Sequence, residues 1–224
     1  MCVSFRSVIS EFISNDFNKI FAVPQARCCI DAKGKAPYYF CVIRLAVITG
    51  ASSGFGSVYA KLIDRRKDID EIWLVARRED RLLALSSELS HPVLVLPLDL
   101  TKPASIDRLK TAFESKAKRS PFDEIALSSA AEKRGGNGMT IAFFVNCAGA
   151  GKIGDYCAIA REDNERMIAL NCTAFVNAAL TSLPYMERGS RIINVSSTSA
   201  FQPFQHLAVY AATKAFVLSW SRAL

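Results

Sequence analysis

The sequence predicts an α/β protein built on a doubly wound parallel sheet, and three observations support this fold class. From residue 43 onward, short apolar runs rich in β-branched residues alternate with stretches of helical spacing. Such alternation indicates parallel strands that are joined by right-handed helical crossovers. A glycine-rich stretch at residues 49–56 follows the first run, and 50% of the 224 residues are hydrophobic, which excludes a disordered chain.

The individual elements follow from periodicity and length. Short apolar runs predict strands, and apolar residues three or four positions apart predict helices. On these grounds strands are expected at residues 43–49, 71–76, 93–98, 141–145 and 192–195. Helices are expected from residue 54, at residues 79–89, from residue 104, at residues 162–186 and from residue 209. Residues 116–139 contain serine and glycine clusters, which predict a flexible surface loop.

The glycine-rich stretch predicts an anion-binding turn. Gly50, Gly54 and Gly56 join the first predicted strand to the N-terminus of the first predicted helix. Backbone N–H groups and the positive end of that helix would face a phosphate-sized anion, and glycines let the backbone approach it closely. The spacing Gly-x-x-x-Gly-x-Gly differs from the commoner Gly-x-Gly-x-x-Gly, so packing alone stays open as a second explanation of these glycines.

Tyr210 and Lys214 form a candidate acid/base pair near the end of the chain. Because they are four residues apart, they share one face of the last predicted helix, where the ammonium would favour the phenolate. Tyr210 then becomes a proton donor. Ser197 ends the apolar run at residues 191–197, where its hydroxyl could hold a substrate oxygen. Taken singly, each residue has a structural alternative: a core tyrosine, a surface lysine and a turn serine.

Five segments of the sequence form an ordered set of motifs. They are the turn at residues 49–56, Leu98-Asp99-Leu100, Asn146-Cys147-Ala148-Gly149, Asn171, and the set of Ser197, Tyr210 and Lys214. In their order and spacing, these segments resemble the short-chain dehydrogenase/reductase family. The resemblance covers residues 43–224 and implies a Rossmann-type, three-layer α/β/α fold that binds NAD or NADP.

The resemblance also implies a role for each matching residue. Tyr210 becomes the acid/base, Lys214 the cation that favours its phenolate and holds the nicotinamide ribose, and Ser197 the residue that binds the substrate oxygen. Asn171 would anchor a water in a proton relay ending at Lys214. Cys147 departs from the family, which usually has a second asparagine at that position. The implied cofactor-binding residues are Gly50, Ser52, Ser53, Gly54, Phe55 and Gly56 at the pyrophosphate turn, Asp99 and Leu100 at the adenine, Asn146, Ala148 and Gly149 at the cofactor-side strand end, and Tyr210 and Lys214 themselves.

Charge at the end of the second predicted strand favours NADP over NAD. An acidic residue there hydrogen-bonds the ribose 2′-hydroxyl of NAD, whereas arginine accommodates a 2′-phosphate. Here residues 71–76 run directly into Arg77 and Arg78, with no carboxylate at the strand end. A guanidinium fork suits a phosphate in charge and shape, so we expect NADP or NADPH rather than NAD. The alternative is that both arginines begin a solvated helix together with Glu79 and Asp80.

Composition argues against several other functions. The net charge of +7 is dispersed among acidic residues with no aromatic platform, so nucleic-acid binding is not expected. The two histidines, His91 and His206, and seven cysteines without Cys-x-x-Cys spacing make a metal site or a disulfide unexpected. His206 is expected in a surface loop, with the substrate pocket as the alternative. No apolar stretch is judged long enough to span a bilayer, and no signal peptide is recognised, which favours a cytoplasmic protein without membrane contact.

The chain is expected to comprise two parts. Residues 1–42 carry no motif and lose their periodicity, so we expect a poorly ordered N-terminal extension. Residues 43–224 are expected to form the dinucleotide-binding and catalytic domain. By the resemblance, two more strands and a substrate-covering loop would follow residue 224. The domain is therefore expected to be truncated, with its last strands missing and its fifth strand as an open edge.

Two classes of function remain open. The first is an NADPH-dependent carbonyl reductase or alcohol dehydrogenase, in which Tyr210 exchanges a proton with a small ketone, aldehyde or alcohol substrate. The second is a non-catalytic fragment that binds a dinucleotide or a partner subunit. Phe201, Pro203 and Phe204 predict an apolar wall of the substrate pocket. Apolar faces on the last two predicted helices, together with the family, imply a homodimer or a homotetramer.

Overall fold

The computed structural model describes residues 42–117, 138–155 and 157–224. The predicted N-terminal extension and most of the predicted loop at residues 116–139 lie outside the described residues. Both therefore stay predictions, as does the division of the chain into an extension and a catalytic domain.

Five parallel strands form one sheet in the order β3-β2-β1-β4-β5. Strands buried on both faces need nearly continuous apolar runs, and the sequences LAVI in β1, IWLV in β2 and IAFFV in β4 provide them. The strands are β1 (Ile43–Thr49), β2 (Glu71–Ala76), β3 (Val93–Pro97), β4 (Met139–Asn146) and β5 (Arg191–Asn194). The predicted parallel sheet is thus confirmed.

The sheet changes its direction of winding between β1 and β4. β1 pairs with β2 on one side and with β4 on the other, so Thr49 lies opposite both Val75 and Asn146. In open α/β sheets, ligands bind outside the carboxyl ends of the strands at such a switch point. The glycine-rich turn directly follows Thr49, so the fold brings it to this position.

Helices cover both faces of the sheet, as the prediction of a doubly wound fold requires. On one face, Leu45 and Val47 belong to an apolar cluster in which Trp73 and Phe113 stack with ring centroids 5.2 Å apart. The alternate residues of β1, such as Ile48, are equally buried. The helices are α1 (Gly54–Ile63), α2 (Glu79–Ser86), α3 (Pro103–Ala117), α4 (Arg161–Ile168), α5 (Phe175–Ser182) and α6 (Ala208–Ala223).

One long helix connects the loop after β4 with β5, as the sequence predicts for residues 162–186. It is composite: α4 is followed by a π-helical turn (Ala169–Ala174), by α5 and by a 3-10 turn (Leu183–Tyr185). A π-turn inserts one extra residue into a helix and is frequent at functional sites. The sequence pattern alone does not predict it.

The same composite helix corrects one expectation about membranes. Arg161–Tyr185 is 25 residues long with a hydropathy of 1.3, so length and composition alone would allow it to cross a bilayer. The expectation that no stretch of the chain meets this criterion is therefore wrong. In the fold one face of this segment packs on the apolar core, where Ala178 and Ala179 are buried, and 39% of its apolar window is buried.

Element ends differ from prediction by a few residues. The helix expected at residues 79–89 ends at Ser86, where the chain tightens into a turn in which the N–H of Glu88 bonds the oxygen of Leu85. β4 is longer than expected and is buried from Met139 to Asn146. β5 lies at one edge of the described sheet, as expected.

Candidate active site

Thr49 ties the carboxyl end of β1 to the segment after β4. Its hydroxyl lies 3.2 Å from Asn146 Oδ1 and 3.4 Å from the backbone oxygen of Val145, and it accepts the N–H groups of Cys147 and Ala148 at 3.1 Å. The side chain is fully buried. The sequence predicts Thr49 only as part of the glycine-rich turn and not in this role. The available signal is its position at the end of the first strand, which matches that of Asn146 at the end of β4.

The glycine-rich turn packs too tightly for side chains. Gly50 has a φ of 67°, and a Cβ there would lie 2.8 Å from Ala148 Cα. A Cβ on Gly56 would lie 2.3 Å from the backbone oxygen of Gly50. Both positions therefore require glycine. The turn leads into α1, whose first N–H groups have no partner within the helix and whose first turn carries no acidic residue.

Arg78 reaches back from the end of β2 to the glycine-rich turn. Its Nη2 donates to Ser52 Oγ at 3.0 Å and to Ser53 Oγ at 2.9 Å. Arg77 is exposed and makes no hydrogen bond or ion pair within the described ranges. The two arginines named by the sequence are thus not equivalent, and Arg78 is the one beside the turn. Arg78 also occupies the N-cap position of α2. It therefore begins a helix, as the alternative predicts, and contacts the glycine-rich turn as well.

The segment after β3 is held by its own hydrogen bonds. Asp99 Oδ1 accepts the N–H of Thr101 at 3.1 Å and its hydroxyl at 2.7 Å. Leu100 is buried in the apolar cluster with 5% exposure. The second carboxylate oxygen of Asp99 is therefore left for a ligand at this strand end, while the buried side chain of Leu100 is not.

Tyr210 and Lys214 lie in the first two turns of α6, on the face that meets the sheet edge. Lys214 Nζ lies 5.8 Å from the Tyr210 ring centroid and donates to the backbone oxygen of Val195 at 2.9 Å. Gly151 packs on the tyrosine ring, since a Cβ there would lie 2.9 Å from Cδ2. The pair predicted from the four-residue spacing is therefore brought together with the glycine segment that follows β4.

Burial dominates the electrostatics of Lys214. It is only 5% exposed, and desolvation lowers the pKa of its ammonium, an effect that Cys147 and Cys172 partly oppose. Burial likewise raises the pKa of Cys147 from 9.0 to about 12, although Lys214 acts in the other direction. Cys147 is thus a neutral thiol where the family usually has asparagine, and it offers no nucleophile at neutral pH.

Asn171 occupies the π-turn and joins three elements. Its Oδ1 accepts the N–H of Ala150 at 2.9 Å, while its Nδ2 donates to the oxygen of Ala150 at 2.8 Å and to Thr213 Oγ1 at 2.9 Å. The side chain is fully buried, as its predicted apolar face requires. A Cβ on Gly149 would lie 3.3 Å from Asn171 Oδ1 and 3.4 Å from Lys214 Nζ. Both donors of the amide are used by protein groups, so the side chain positions the loop after β4.

Ser197 follows β5 and caps a 3-10 turn (Thr198–Ala200). Its Oγ accepts from the N–H of Ser199 at 3.2 Å and lies 2.9 Å from Ser199 Oγ. The preceding Ser196 donates its hydroxyl to the backbone oxygen of Lys214 at 2.8 Å. The turn that carries Ser197 is therefore tied directly to the helix that carries Tyr210.

An apolar groove of about 710 Å³ lies beside α6. Phe201, Pro203 and Phe204, which the sequence predicts as an apolar wall, line it together with an alanine-rich face of α6. His206 is exposed, as expected, but lies in a 3-10 turn (Gln205–Leu207) and not in a loop. It does not line the groove, and its Nδ1 lies 2.9 Å from Asp155 Oδ1. Within the described residues, no group of three His, Cys, Asp or Glu side chains could hold a metal ion.

The comparisons with known proteins agree with this fold and this arrangement. The family model described as short chain dehydrogenase matches residues 44–224. The chain therefore belongs to the short chain dehydrogenase family, a family of oxidoreductases, as the sequence resemblance predicts.

Relatives and solved structures support the same assignment. An uncharacterized oxidoreductase of Staphylococcus epidermidis is 32% identical over 186 residues, which cover 81% of this chain and 70% of that protein. A short-chain dehydrogenase from Sphingobium yanoikuyae in complex with NADPH has a TM-score of 0.64 and 31% identity, with 82% of this chain and 65% of that chain covered. An L-sorbose reductase from Gluconobacter frateurii complexed with NADPH and L-sorbose has a TM-score of 0.62 and 28% identity, with 81% and 63% covered. The chain thus spans about two thirds of the length of these structures.

Proposed function

We propose that this protein binds NADP(H) and that Tyr210 acts as the acid/base in the reduction of a ketone or aldehyde to an alcohol. One observation carries the proposal: Lys214 and Asn171 gather with Tyr210 around Gly149 and Gly151 at the carboxyl edge of β4. The glycine-rich turn lies at the same edge, after β1. A dinucleotide bound across this edge would extend from the turn to the tyrosine.

The residues present fit the pyrophosphate of a dinucleotide. The tight contacts of Gly50 and Gly56 leave the turn without side chains that could block a phosphate. The N-terminus of α1 adds backbone N–H groups and a positive dipole end, with no acidic residue in its first turn to oppose an anion. Shape and charge therefore favour the same ligand group.

Arg78 supports NADP(H) over NAD(H). Its guanidinium lies against the hydroxyls of Ser52 and Ser53, where a 2′-phosphate on the adenine-side ribose would meet a charged, planar donor. β2 ends at Ala76 with no carboxylate to hold a ribose hydroxyl. Two of the solved structures described above are complexes with NADPH, which supports the same choice of cofactor.

In the proposed reaction, each residue of the site has a separate role. Tyr210 gives its phenolic proton to the substrate oxygen, and the nearby ammonium of Lys214 stabilises the phenolate that is left. Ser197 holds the same oxygen by a hydrogen bond while its charge develops. When bound, the reduced nicotinamide supplies the hydride for the carbonyl carbon. Asn171 positions the loop after β4 and, through Thr213, the helix of the catalytic tyrosine.

Substrate, assembly and location belong to the same proposal. The aromatic groove beside α6 supports a moderately hydrophobic ketone or aldehyde. Leu180 and Phe216 are exposed apolar residues on α5 and α6, and they support a homodimer or homotetramer that is packed through these helices. We further propose a cytoplasmic enzyme that does not act on nucleic acid or at a membrane.

A second candidate is a chain that binds the dinucleotide without turning over a substrate. The observation in its favour is that the contacts of the glycine-rich turn and of Arg78 involve none of Ser197, Tyr210 and Lys214. A carbonyl substrate assay on the chain with saturating NADPH separates the two, because only the first predicts NADPH oxidation.

The direct test is a fluorescence titration of the purified chain with NADPH and NADH. Hydrogen bonds to charged groups contribute about 1.5–3 kcal/mol, so Arg78→Ala should weaken NADPH binding by about tenfold or more and leave NADH binding unchanged. Arg77→Ala is the matched control, since Arg77 does not contact the turn, and it should change neither. Equal affinity of the wild type for both dinucleotides would refute the NADP(H) assignment. Equal losses of NADPH binding in the two variants would instead refute the assignment of the 2′-phosphate to Arg78 alone.

A further inference from the structure

Ser197 receives two hydrogen bonds from one neighbour. The backbone N–H of Ser199 points to Ser197 Oγ at 3.2 Å, and the hydroxyl oxygen of Ser199 lies 2.9 Å from the same atom. Both contacts arise because residues Thr198–Ala200 form a single 3-10 turn that Ser197 caps. Ser199 is buried, with only 5% of the residue exposed, so water has little access to its hydroxyl.

The direction of the hydroxyl contact follows from the available acceptors. A serine hydroxyl has one proton and two lone pairs. Within the described parts of the chain, the Ser199 hydroxyl makes no hydrogen bond except the one with Ser197. If Ser197 were the donor, the Ser199 proton would be buried without an acceptor, which is unfavourable. In the hydrogen bond between the two hydroxyls, Ser199 is therefore the donor and Ser197 Oγ the acceptor.

This arrangement determines what Ser197 can offer a ligand. One lone pair of Ser197 Oγ meets the N–H of Ser199 and the other meets its O–H. Only the proton of Ser197 is left for a group in the site. Ser197 can thus donate a hydrogen bond to a substrate atom and cannot accept one.

We infer that Ser199 is a positioning residue that holds Ser197 as a hydrogen-bond donor, so that the site selects a reacting atom that accepts a hydrogen bond. A carbonyl oxygen satisfies this requirement, whereas an iminium or ammonium nitrogen, which only donates, does not. The inference rests on the proposed function, in which Ser197 holds the substrate oxygen. It adds Ser199, which the sequence does not single out, and it assigns the direction of the hydrogen bond between the two hydroxyls.

If Ser199 served only the fold, its replacement would alter the turn or the stability and not the hydrogen bonding of Ser197. Two variants separate these roles. The N–H of Ser199 closes the turn whatever its side chain, so Ser199→Ala keeps the backbone contact and removes only the hydroxyl. Thr198→Ala is the matched control, because Thr198 lies in the same turn with an exposed side chain. Circular dichroism and urea unfolding of both variants report whether the turn and the fold are retained.

The proton direction can be measured without any ligand. Neutron diffraction from deuterium-exchanged crystals of the chain should place the deuterium on Ser199 Oγ, directed at Ser197 Oγ. Deuterium on Ser197 and directed at Ser199 would overturn the inference. This measurement does not depend on dinucleotide binding, so it stands even if the proposed function fails.

The effect on a ligand is measured with cyclohexanone as the probe. With the chain saturated by NADP⁺, infrared difference spectra of ¹³C-carbonyl-labelled cyclohexanone should show a carbonyl stretch lowered by hydrogen bonding. In Ser199→Ala the lowering should be smaller and the ketone Kd about three- to tenfold weaker, as expected for one hydrogen bond, while Thr198→Ala matches the wild type. An identical carbonyl band and Kd in Ser199→Ala and wild type would refute the inference. Failure of NADP⁺ to bind would instead count against the proposed function, and the neutron result would still decide the proton direction.

Discussion

Lys214 Nζ donates a hydrogen bond to the backbone oxygen of Val195 at a distance of 2.9 Å. This bond joins the helix of the proposed acid/base to the end of β5. An ammonium has three donors, so two remain for groups inside the site. The lysine therefore holds the strand end and the helix together while it keeps most of its hydrogen-bonding capacity for a ligand.

The buried ammonium predicts an unusual dependence of stability on pH. Burial lowers the pKa of Lys214 below its usual 10.5, whereas the unfolded chain keeps the usual value. Between the lowered pKa and 10.5 the unfolded state binds more protons, so the unfolding free energy contributed by this group rises with pH. Below the lowered pKa both states are protonated and the folded state bears the full cost of burial.

Urea unfolding of wild type and Lys214→Met checks this prediction. The stability of the wild type relative to the variant should increase as the pH rises from neutral toward about 10, because methionine cannot titrate. If the difference in unfolding free energy between the two proteins stayed constant across that range, Lys214 would have the same pKa in the folded and unfolded chains.

Thr49→Val should destabilise the fold although valine has nearly the same shape as threonine. The variant leaves the N–H groups of Cys147 and Ala148 without the hydroxyl that now accepts both. An unsatisfied buried donor costs about 1–3 kcal/mol. Because both N–H groups are only part-buried, we expect a total loss within that range in urea unfolding. Thr49→Ser keeps the hydroxyl and should recover most of the loss. Equal losses in the two variants would contradict the assignment of the effect to the hydroxyl, because only the serine variant retains it.

Gly56→Ala should impair both folding and dinucleotide binding. The added Cβ would lie 2.3 Å from the oxygen of Gly50, and relieving such overpacking costs about 1–3 kcal/mol. The turn must shift, so NADPH titration should show much weaker binding. Val58→Ala, an exposed position on the same helix, should change stability by less than about 0.5 kcal/mol and leave binding intact. Normal NADPH affinity in Gly56→Ala would remove the turn from the proposed site.

Cys147 should resist alkylation in the folded protein. Its pKa is raised from 9.0 to about 12, and the thiolate is the reactive species, so near neutral pH its reactivity should fall on the order of a thousandfold relative to the unfolded chain. Iodoacetamide labelling followed by peptide mass spectrometry measures each cysteine separately. Cys157, which is exposed, serves as the internal reference. Rapid labelling of Cys147 before unfolding would contradict its burial.

Much of the fold could be predicted because it depends on local patterns. The apolar runs of β1, β2 and β4 and the glycine-rich turn are continuous in the sequence, so strand positions and the turn follow directly. Tyr210 and Lys214 are four residues apart, and helical periodicity alone brings them together. The expected clustering of these elements at one sheet edge follows from the rules for parallel sheets.

The rest depends on partners that are far apart in sequence or on geometry within one turn. Thr49 bonds Ala148 across 99 positions, and no local pattern shows such a pair. The π-turn at Asn171 has the same composition as a regular helix. The role of Ser199 requires the directions of two hydrogen bonds and the burial of a hydroxyl, neither of which a sequence contains.

The contact of Arg78 with Ser52 and Ser53 affects the conformational entropy that this side chain would lose when it binds an anion. A free arginine side chain loses about 2 kcal/mol of rotamer entropy when it is fixed, but here two hydroxyls already restrain the guanidinium. That entropy is lost during folding. Both contacts use Nη2, so the N–H groups on Nε and Nη1 are left. If the proposed 2′-phosphate binds beside this turn, it would meet a guanidinium whose direction is already set, with little rearrangement of the chain.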